Sequence, residues 1–433
     1  MKNNKGITLV ALVVTIVVLM ILASVSIGAI FSEKGIIQQA TDAKKQHEDA
    51  RRLEEENLNE LLGEYRNSMS GEGGSGSGSG TPTPVPPSTP VPTPSVPTGP
   101  NGNQLVTSIT TTEHENIEAE DGKGNKVVVP NGFKFAEDSG QTVQDGIVVE
   151  DSSENQFVWI PVSNINHDGN NKIIKNDGTE VEITLGRYTF DTSTGAETKI
   201  QYGSEWESKV TFTEGGNSYS EDPTFREGTI NTNTGVNATA HNLSGFIESV
   251  EHYGGFFMAR YEASRGAGSS YGVGDDPNYI VPVFKVSNGF RPSYSPSEGE
   301  LYCTVQQSVA SKACRQLYYW NSFVESDLVN SYMWDTTILY IQSMGNWNYA
   351  NRGKGSNTQC MNTGETGDEV CHIFDLAGNM SELTTEHSSK EKNPCVLRGG
   401  WYGNTAWTAY RASGTTVAIG CSFRAGVWVR KFE

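Results

Sequence analysis

Asp375-Leu-Ala-Gly-Asn-Met-Ser-Glu382 is followed sixteen residues later by Arg398-Gly-Gly-Trp401, and then by Arg411 and Phe423-Arg424. The two carboxylates of the first stretch bracket a Gly-Asn turn, so their oxygens and nearby backbone carbonyls can converge on one hard cation. Gly399-Gly400 indicates a backbone that passes very close to another part of the molecule, because glycine has no Cβ. The last sixty residues therefore carry information about both a fold and a site.

This string resembles the end of the formylglycine-generating enzyme (sulfatase-modifying factor) family, whose domains have a C-type-lectin-like fold. The resemblance covers about residues 125–433 and is specific only after residue 370. It implies an α+β head domain, which we place at residues 104–433. Because this fold hosts both oxidases and non-catalytic ligand binders, function must be argued from individual positions.

The resemblance also implies a structural calcium site. Carried over position by position, the family's loop would bind the ion through the side chains of Asp375 and Glu382 and the carbonyls of Gly378 and Met380. Calcium accepts this mixture of carboxylate and carbonyl oxygens in flexible geometry. The alternative is a loop that the same carboxylates close by hydrogen bonds, without a metal.

The catalytic positions of the family are changed in this chain. The enzymes place two cysteines just after the Gly-Gly turn, where they bind copper and oxidise a substrate cysteine. Asn404 and Ala409 stand there instead, and neither can ligate copper as a thiolate or exchange a disulfide. The sequence therefore predicts a protein that is not an enzyme. The pairing of its six cysteines stays open.

Aromatic and small polar residues surround these two positions. Rings supply contact area and hydroxyl groups supply adaptable hydrogen bonds at binding surfaces. We expect a ligand to contact Trp401, Tyr402, Asn404, Trp407, Thr408, Thr415 and Thr416, with Ser413 and Ser422 beside them. The surrounding framework consists of Arg398, Gly399, Gly400, Tyr410, Arg411, Phe423 and Arg424.

This pattern resembles the variable proteins of diversity-generating retroelements, which present a hypervariable ligand-binding face on the same fold. The alternative is that Trp401 and Trp407 belong to the core. A single sequence carries no information on variability, so the resemblance predicts a binding face and leaves its hypervariability open.

The amino terminus has the pattern of a membrane element. Residues 7–31 carry no charge and are long enough to span a bilayer, while the lysines of residues 1–6 favour a cytoplasmic amino terminus. The junction Gly6-Ile7 resembles the cleavage site of class III leaders in type IV pilins and pseudopilins. Those proteins usually carry Glu where this chain has Ala11, which puts filament assembly in doubt. A plain single-span anchor is the alternative.

A stalk is expected between this anchor and the head. Residues 32–69 have apolar positions three and four apart, which predicts an amphipathic helix. Residues 70–103 are first Gly/Ser-rich and then Pro/Thr-rich, which predicts a flexible coil followed by polyproline II. The head holds 24 basic and 41 acidic side chains, a balance of −17, which argues against nucleic-acid binding.

Within the head, residues 305–325 and 330–344 have a helical spacing of apolar residues. The run Phe157-Val-Trp-Ile-Pro161 predicts a strand, and its proline favours an edge position. Residues 163–250 predict a loop-rich insertion.

Taken together, the sequence predicts a single-pass membrane protein of the bacterial cell surface. Its extracellular head would bind a protein or glycan ligand, and pilin-like subunits are possible partners in the membrane. Two alternatives are a formylglycine-generating oxidase acting on exported sulfatases and a structural minor pilin or pseudopilin.

Overall fold

A computed structural model describes residues 108–111, 116–163, 172–203, 211–214, 216–221, 242–267, 281–290, 296–353, 360–390, 395–402, 407–414 and 417–431. The chain divides into two compact units, and all these residues belong to the second, residues 91–433. The predicted leader with Gly6 and Ile7, the span 7–31, the helix 32–69 and the stalk 70–103 lie outside the described residues. Within the described part, no helix is long and apolar enough to cross a membrane.

The described residues form three α-helices, namely α1 (Leu243–Tyr253), α2 (Gln307–Gln316) and α3 (Ser331–Ser343). They also form the strands β1 (Ser108–Thr111), β2 (Ile117–Glu120), β3 (Lys126–Val129), β4 (Lys134–Phe135), β5 (Val148–Glu150), β6 (Gln156–Pro161), β7 (Ile173–Ile174), β8 (Glu180–Val181), β9 (Gly186–Phe190), β10 (Glu197–Tyr202), β11 (Thr211–Glu214), β12 (Asn217–Ser220), β13 (Gly255–Ala259), β14 (Ser264–Arg265), β15 (Pro282–Val283), β16 (Gly289–Phe290), β17 (Glu300–Leu301), β18 (Thr304–Gln306), β19 (Val324–Leu328), β20 (Glu369–Val370), β21 (Ile373–Phe374), β22 (Ser381–Ser388), β23 (Cys395–Arg398), β24 (Arg411–Gly414), β25 (Val417–Ile419), β26 (Cys421–Phe423) and β27 (Ala425–Val429). The pairings are antiparallel except for β16 with β17 and β22 with β26. The expected mixed fold of helices and strands is therefore confirmed.

The main core lies on an antiparallel sheet of six strands in the order β19-β27-β13-β6-β5-β4. Its inner strands are continuous apolar runs, Phe157-Val-Trp-Ile160 in β6 and Gly255-Phe-Phe-Met-Ala259 in β13, and every residue of both runs is buried. Side chains alternate between the two faces of a strand, so such a run places apolar groups on both faces. The sheet is therefore covered on both sides.

The edge position that Pro161 suggested for β6 is wrong, because β6 lies between β5 and β13. Pro161 is the last residue of the strand, opposite Gly255. At the end of a strand the missing N–H interrupts no ladder of hydrogen bonds, so proline is tolerated there.

Helices α1 and α3 begin at asparagine caps. The Asn242 side chain accepts a hydrogen bond from the Gly245 N–H, and the Asn330 side chain accepts one from the Met333 N–H. Each cap satisfies one of the N–H groups that a helix leaves unpaired at its start. Helix α3 is buried from Ser331 to Ile341 and carries Trp334 and Asp335 beneath the site described below.

The predicted helix 305–325 is too long. Helix α2 ends at Gln316, and Val324–Leu328 forms strand β19, which pairs with β27. Val324 and Leu328 are both fully buried in this strand, so tertiary pairing outweighs the helical spacing of apolar residues. The helix predicted at 330–344 is confirmed as α3. The predicted insertion 163–250 contains strands β7 to β12 as well as most of α1.

A second sheet of six strands carries Glu382, Arg398, Arg411 and Phe423. Its order is β11-β12-β22-β23-β24, and β26 lies parallel to β22. Arg398 ends β23, Arg411 begins β24, and these two residues are directly opposite each other. The segment 399–410 is therefore the connection between two neighbouring antiparallel strands.

Candidate functional site

The two arginines at the base of this connection are buried in ion pairs. Arg398 Nη2 lies 2.5 Å from Asp335 Oδ1, and Arg411 Nη2 lies 2.5 Å from Asp335 Oδ2. Arg411 Nε also donates to Glu386 Oε2 at 3.1 Å. The Asp335 carboxylate on α3 thus binds the arginines at both ends of the connection. Glu386 on β22 gives Arg411, at the second end, an additional partner.

A third arginine completes this group. Arg187 Nη2 donates to Glu386 Oε1 at 2.6 Å, and both side chains are fully buried. Burial by itself raises the pKa of Glu386, but Arg411, Arg187 and Arg398 outweigh it and lower that pKa to about 2. Burial lowers the pKa of Arg411, and Asp335 and Glu386 reverse the effect and raise it. Buried charges of opposite sign surround one another here, which is the condition under which buried ions are tolerated.

The glycine at the start of the connection passes close to its neighbours, as the sequence predicts. Gly399 has a φ of +73°, and a Cβ at this position would lie 2.9 Å from the Leu376 carbonyl oxygen and 3.4 Å from the Trp334 ring. The Trp334 indole N–H donates to the Thr408 carbonyl oxygen at 3.0 Å. Gly399 is therefore required both for its left-handed backbone and for the contact with the Asp375–Glu382 turn.

Beneath that turn lies a second buried group, with three carboxylates and one guanidinium. Arg424 forms a two-pronged pair with Glu382, with Nε to Oε2 at 2.6 Å and Nη2 to Oε1 at 2.5 Å. The carboxylate of Glu262 on the loop after β13 accepts from the Asn379 side-chain amide at 2.6 Å and from the Met380 N–H at 3.0 Å. Asp375 completes the group.

This group has more acidic than basic side chains, and their pKa values shift accordingly. Burial raises the pKa of Glu262 well above its usual range, and the nearby charges of Asp375 and Glu382 raise it further. Burial also raises the pKa of Asp375 and that of Glu382, although Arg424 opposes both shifts. The group therefore retains a proton more readily than three isolated carboxylates would.

The side chains predicted to bind calcium already have protein partners in this arrangement. The Asp375 carboxylate accepts hydrogen bonds from the Thr363 hydroxyl at 2.8 Å, from the Gly364 N–H at 2.8 Å and from the Thr366 hydroxyl. Both oxygens of Glu382 are engaged by Arg424. Arg424 thus holds both carboxylate oxygens of Glu382, and among the described residues no group of three or more His, Cys, Asp or Glu side chains is arranged to hold a metal ion.

Calcium binding therefore stays a prediction, and it would require Glu382 to release Arg424. The hydrogen-bonded loop that the sequence left as the alternative accounts for the arrangement of both carboxylates. Gly378 and Met380 lie in the turn between them, where the Gly378 N–H donates to the Asp375 carbonyl oxygen at 3.3 Å.

The connection presents four aromatic side chains above this buried framework. Trp401 and Tyr402 are half-buried and pack edge to face with ring centroids 5.2 Å apart. Trp407 is also half-buried and packs edge to face with Tyr410 at 5.3 Å, and Tyr410 is 37% exposed. Each of these side chains is therefore partly accessible, and the rings form two edge-to-face pairs. We refer to these four rings as the aromatic face.

Other residues of the predicted binding surface lie elsewhere. Thr408 is fully buried, and its hydroxyl donates to the Arg352 carbonyl oxygen at 3.2 Å. Its contact with a ligand stays a prediction, and it would require a rearrangement of the residues around it. Ser422 is fully buried in β26, while Ser413 is half-buried. Asn404, Thr415 and Thr416 lie outside the described residues. Ala409, at the second catalytic position of the enzyme family, is buried.

The buried acids of the site had no signal in the sequence. Asp335, Glu386 and Glu262 lie in runs of ordinary helix or strand composition, and nothing in their spacing connects them to the arginines that they pair with. Asn379 was part of the quoted turn, but its role as a bridge was not predicted. The arginines of the framework could have indicated that such acids exist, since a buried arginine requires an acidic partner.

No protein-family model, no curated protein and no solved structure matches this chain. The candidate site is thus defined by its own geometry: a connection of twelve positions, residues 399–410, held at both ends by buried ion pairs.

Proposed function

We propose that the chain is a non-catalytic protein that binds a protein or glycan ligand outside the cell through the aromatic face. The observation that carries this proposal is the combination of half-buried rings with a fixed base. Trp401, Tyr402, Trp407 and Tyr410 stand on a connection whose ends are tied to Asp335 by two ion pairs of 2.5 Å.

The fixed base of the aromatic face reduces the entropy lost on binding. A binding surface loses affinity when its side chains and backbone must be ordered by the ligand, so a preorganised surface binds more tightly for the same contact area. Tryptophan and tyrosine are large side chains with few rotatable bonds, and they dominate the energetics of many interfaces. Two edge-to-face pairs on an anchored connection favour recognition by shape and contact area.

The finer parts of the proposal rest on the resemblances in the sequence. They are a C-type-lectin-like head, a prepilin-like junction at Gly6-Ile7, a membrane helix over residues 7–31, and a Pro-rich stalk that holds the head away from the membrane. The aromatic face is compatible with a hypervariable surface, because the residues that hold it are buried and distinct from those that it presents.

An oxidase is the competing function, and a chemical assay separates the two. The full chain is loaded with copper and incubated with a sulfatase-type peptide that contains the substrate cysteine, and formylglycine is measured by mass spectrometry. We expect no turnover above that of copper alone, because Ala409 is buried and carries no thiol. Turnover that depends on the protein would contradict the proposal.

A further inference from the structure

Two cysteines that are distant in sequence meet below Tyr402. Cys303 lies between β17 and β18. Cys360 lies three residues before Thr363, whose hydroxyl donates to the Asp375 carboxylate. Both are 3% exposed, and with Leu301 and Met380 they form a small apolar cluster that is separate from the main core and covered by Tyr402.

The two sulfur atoms are neighbours in this cluster. Cys303 and Cys360 belong to the same small buried cluster, and the neighbouring Cys303 side chain together with burial raises the pKa of the Cys360 thiol. Each thiol also lies near a backbone carbonyl, Cys303 Sγ at 3.5 Å from that of Leu301 and Cys360 Sγ at 3.6 Å from that of Met361. A disulfide requires the two sulfur atoms to approach to about 2.05 Å, and two buried cysteine side chains in one small cluster are placed for that approach.

Each cysteine is attached to a different part of the candidate site. The Cys303 carbonyl oxygen accepts from the N–H groups of Gly420 and Cys421, at 2.8 and 3.1 Å, which joins it to the turn before β26. Residue Met361, next to Cys360, donates its N–H to the Asn379 side chain at 2.9 Å. A bond between the two sulfurs would therefore connect the β26 strand to the Asp375–Glu382 turn.

We propose that Cys303 and Cys360 form a disulfide. This bond would fix the apolar cluster on which Tyr402 of the aromatic face packs. The reaction is thiol–disulfide exchange with an external disulfide such as oxidised glutathione. One cysteine thiolate attacks a glutathione sulfur and releases one glutathione thiol. The second cysteine thiolate then attacks the mixed disulfide and releases the other. Two protein thiols and one glutathione disulfide become one protein disulfide and two glutathione thiols, with two electrons passing to glutathione.

The remaining cysteines differ from this pair. Cys395 donates to the Gln307 side-chain oxygen at 3.1 Å, and Cys314, a residue of α2, is fully buried. Cys371 is half-buried, and burial raises its pKa to about 12. The proposal assigns oxidation to Cys303 and Cys360 because these two share one small cluster, and it leaves the other four cysteines as thiols. It goes beyond ligand binding and does not depend on it.

The test maps the thiols of the full chain directly. Purified protein is incubated with oxidised glutathione until its thiol content is constant, denatured with N-ethylmaleimide, and digested without reduction. We expect two of the six thiols to be lost and one linked peptide pair, containing Cys303 and Cys360, that is lighter by two hydrogens than its separate parts. Retention of all six thiols, glutathione adducts on this pair, or a linkage to any other cysteine would overturn the proposal.

Matched variants give a second readout. Cys303→Ser and Cys360→Ser remove the disulfide, whereas Cys395→Ser keeps a hydrogen-bond donor beside Gln307 and serves as the control. Reduction by dithiothreitol should lower the Tm of the oxidised wild type and of Cys395→Ser by roughly 5–10 °C. It should leave the Tm of the Cys303→Ser and Cys360→Ser variants unchanged. Equal sensitivity of all four proteins to reduction would contradict the assignment, whatever the outcome of ligand-binding assays.

Discussion

The backbone N–H of Tyr402 donates a hydrogen bond to the carbonyl oxygen of Asn379 at 2.9 Å. The side-chain amide of Asn379 in turn donates to the buried carboxylate of Glu262 at 2.6 Å. A residue of the aromatic face is thus joined through a single asparagine to the acidic group below it. This chain of contacts links the turn that the sequence singled out to the surface that we propose to bind a ligand.

Asn379 should be sensitive to substitution for two separate reasons. Its φ of +62° lies in the left-handed region, and its side chain bonds both Glu262 and the Met361 N–H. We expect Asn379→Ala to lower the free energy of unfolding by about 2–4 kcal/mol, because it adds backbone strain and leaves buried polar groups without partners. The loss in the free energy of unfolding should be about 1 kcal/mol smaller for Asn379→Gly than for Asn379→Ala. Glycine adopts the left-handed backbone without strain, but it loses the same side-chain hydrogen bonds. Urea denaturation measures both, and equal losses for the two variants would show that backbone strain has no part.

Asp335 should be among the most sensitive buried charges. It pairs with Arg398 and Arg411, each at 2.5 Å, so Asp335→Ala leaves two buried guanidinium groups with too few acidic partners. We expect a loss of about 3–5 kcal/mol in the free energy of unfolding.

The control for this loss is the exposed pair of Lys285 and Glu154, whose side chains are 44% and 74% exposed. Lys285→Met should change the free energy of unfolding by less than about 1 kcal/mol. A small effect of Asp335→Ala, similar to that of the control, would mean that the ion pairs do not hold the connection in place.

Glu262 should make the protein less stable as the pH rises. Its pKa in the folded protein is well above the usual value of 4.5. At pH values between the pKa of the unfolded chain and that of the folded protein, the folded state therefore binds more protons than the unfolded state. Under that condition the free energy of unfolding falls as the pH increases. Glutamine resembles the protonated carboxyl, and we expect Glu262→Gln to reduce the loss of stability between pH 5 and pH 8 by about 1–3 kcal/mol.

Urea denaturation at both pH values measures this difference, and Glu154→Gln is the exposed control, which should lose as much stability as the wild type. A fall in stability that is the same in Glu262→Gln and in the wild type would contradict the assignment. The effect of Glu386 on stability changes with pH in the opposite direction. Its pKa is lowered to about 2, so its contribution is lost as the pH falls below its usual value of 4.5.

Calcium removal separates the two interpretations of the Asp375–Glu382 turn. The calcium loop that the resemblance implies predicts that a chelator lowers the Tm of the full chain, and that calcium raises the Tm more than magnesium does at the same concentration. A loop closed by Arg424, which engages both oxygens of Glu382, predicts an unchanged Tm in both experiments. A rise in Tm with calcium alone, absent in Glu382→Gln, would instead establish the metal site that the family resemblance implies.

The sequence predicted the parts of this molecule whose causes are local. Gly399 was expected to pass close to another segment, and its contact with Leu376 confirms this. The strand at Phe157–Pro161 and the helix over 330–344 were likewise recognisable, because an apolar run and a helical spacing are properties of neighbouring residues.

The parts that were missed depend on contacts between distant residues. Val324 lies within the predicted helix 305–325, yet it pairs with β27 in a sheet, and Trp320, in the same predicted helix, is 67% exposed. The pairing of Arg398 with Asp335 and the meeting of Cys303 with Cys360 each join residues more than fifty positions apart. Thr408 was assigned to the surface from its composition alone, although its hydroxyl bonds the Arg352 carbonyl oxygen.

The most direct test of the central claim is ligand binding by variants of the aromatic face. The full chain is applied to an array that carries glycans and cell-surface proteins, and retained protein is quantified. We expect the double variant Trp401→Ala, Trp407→Ala to lose binding by about a thousandfold, since aromatic anchors contribute about 2 kcal/mol each at interfaces, or about 4 kcal/mol for the two. Trp320→Ala, which removes a tryptophan that is 67% exposed outside the face, should bind as the wild type does. Equal binding by the double variant, with an unchanged Tm, would contradict the account.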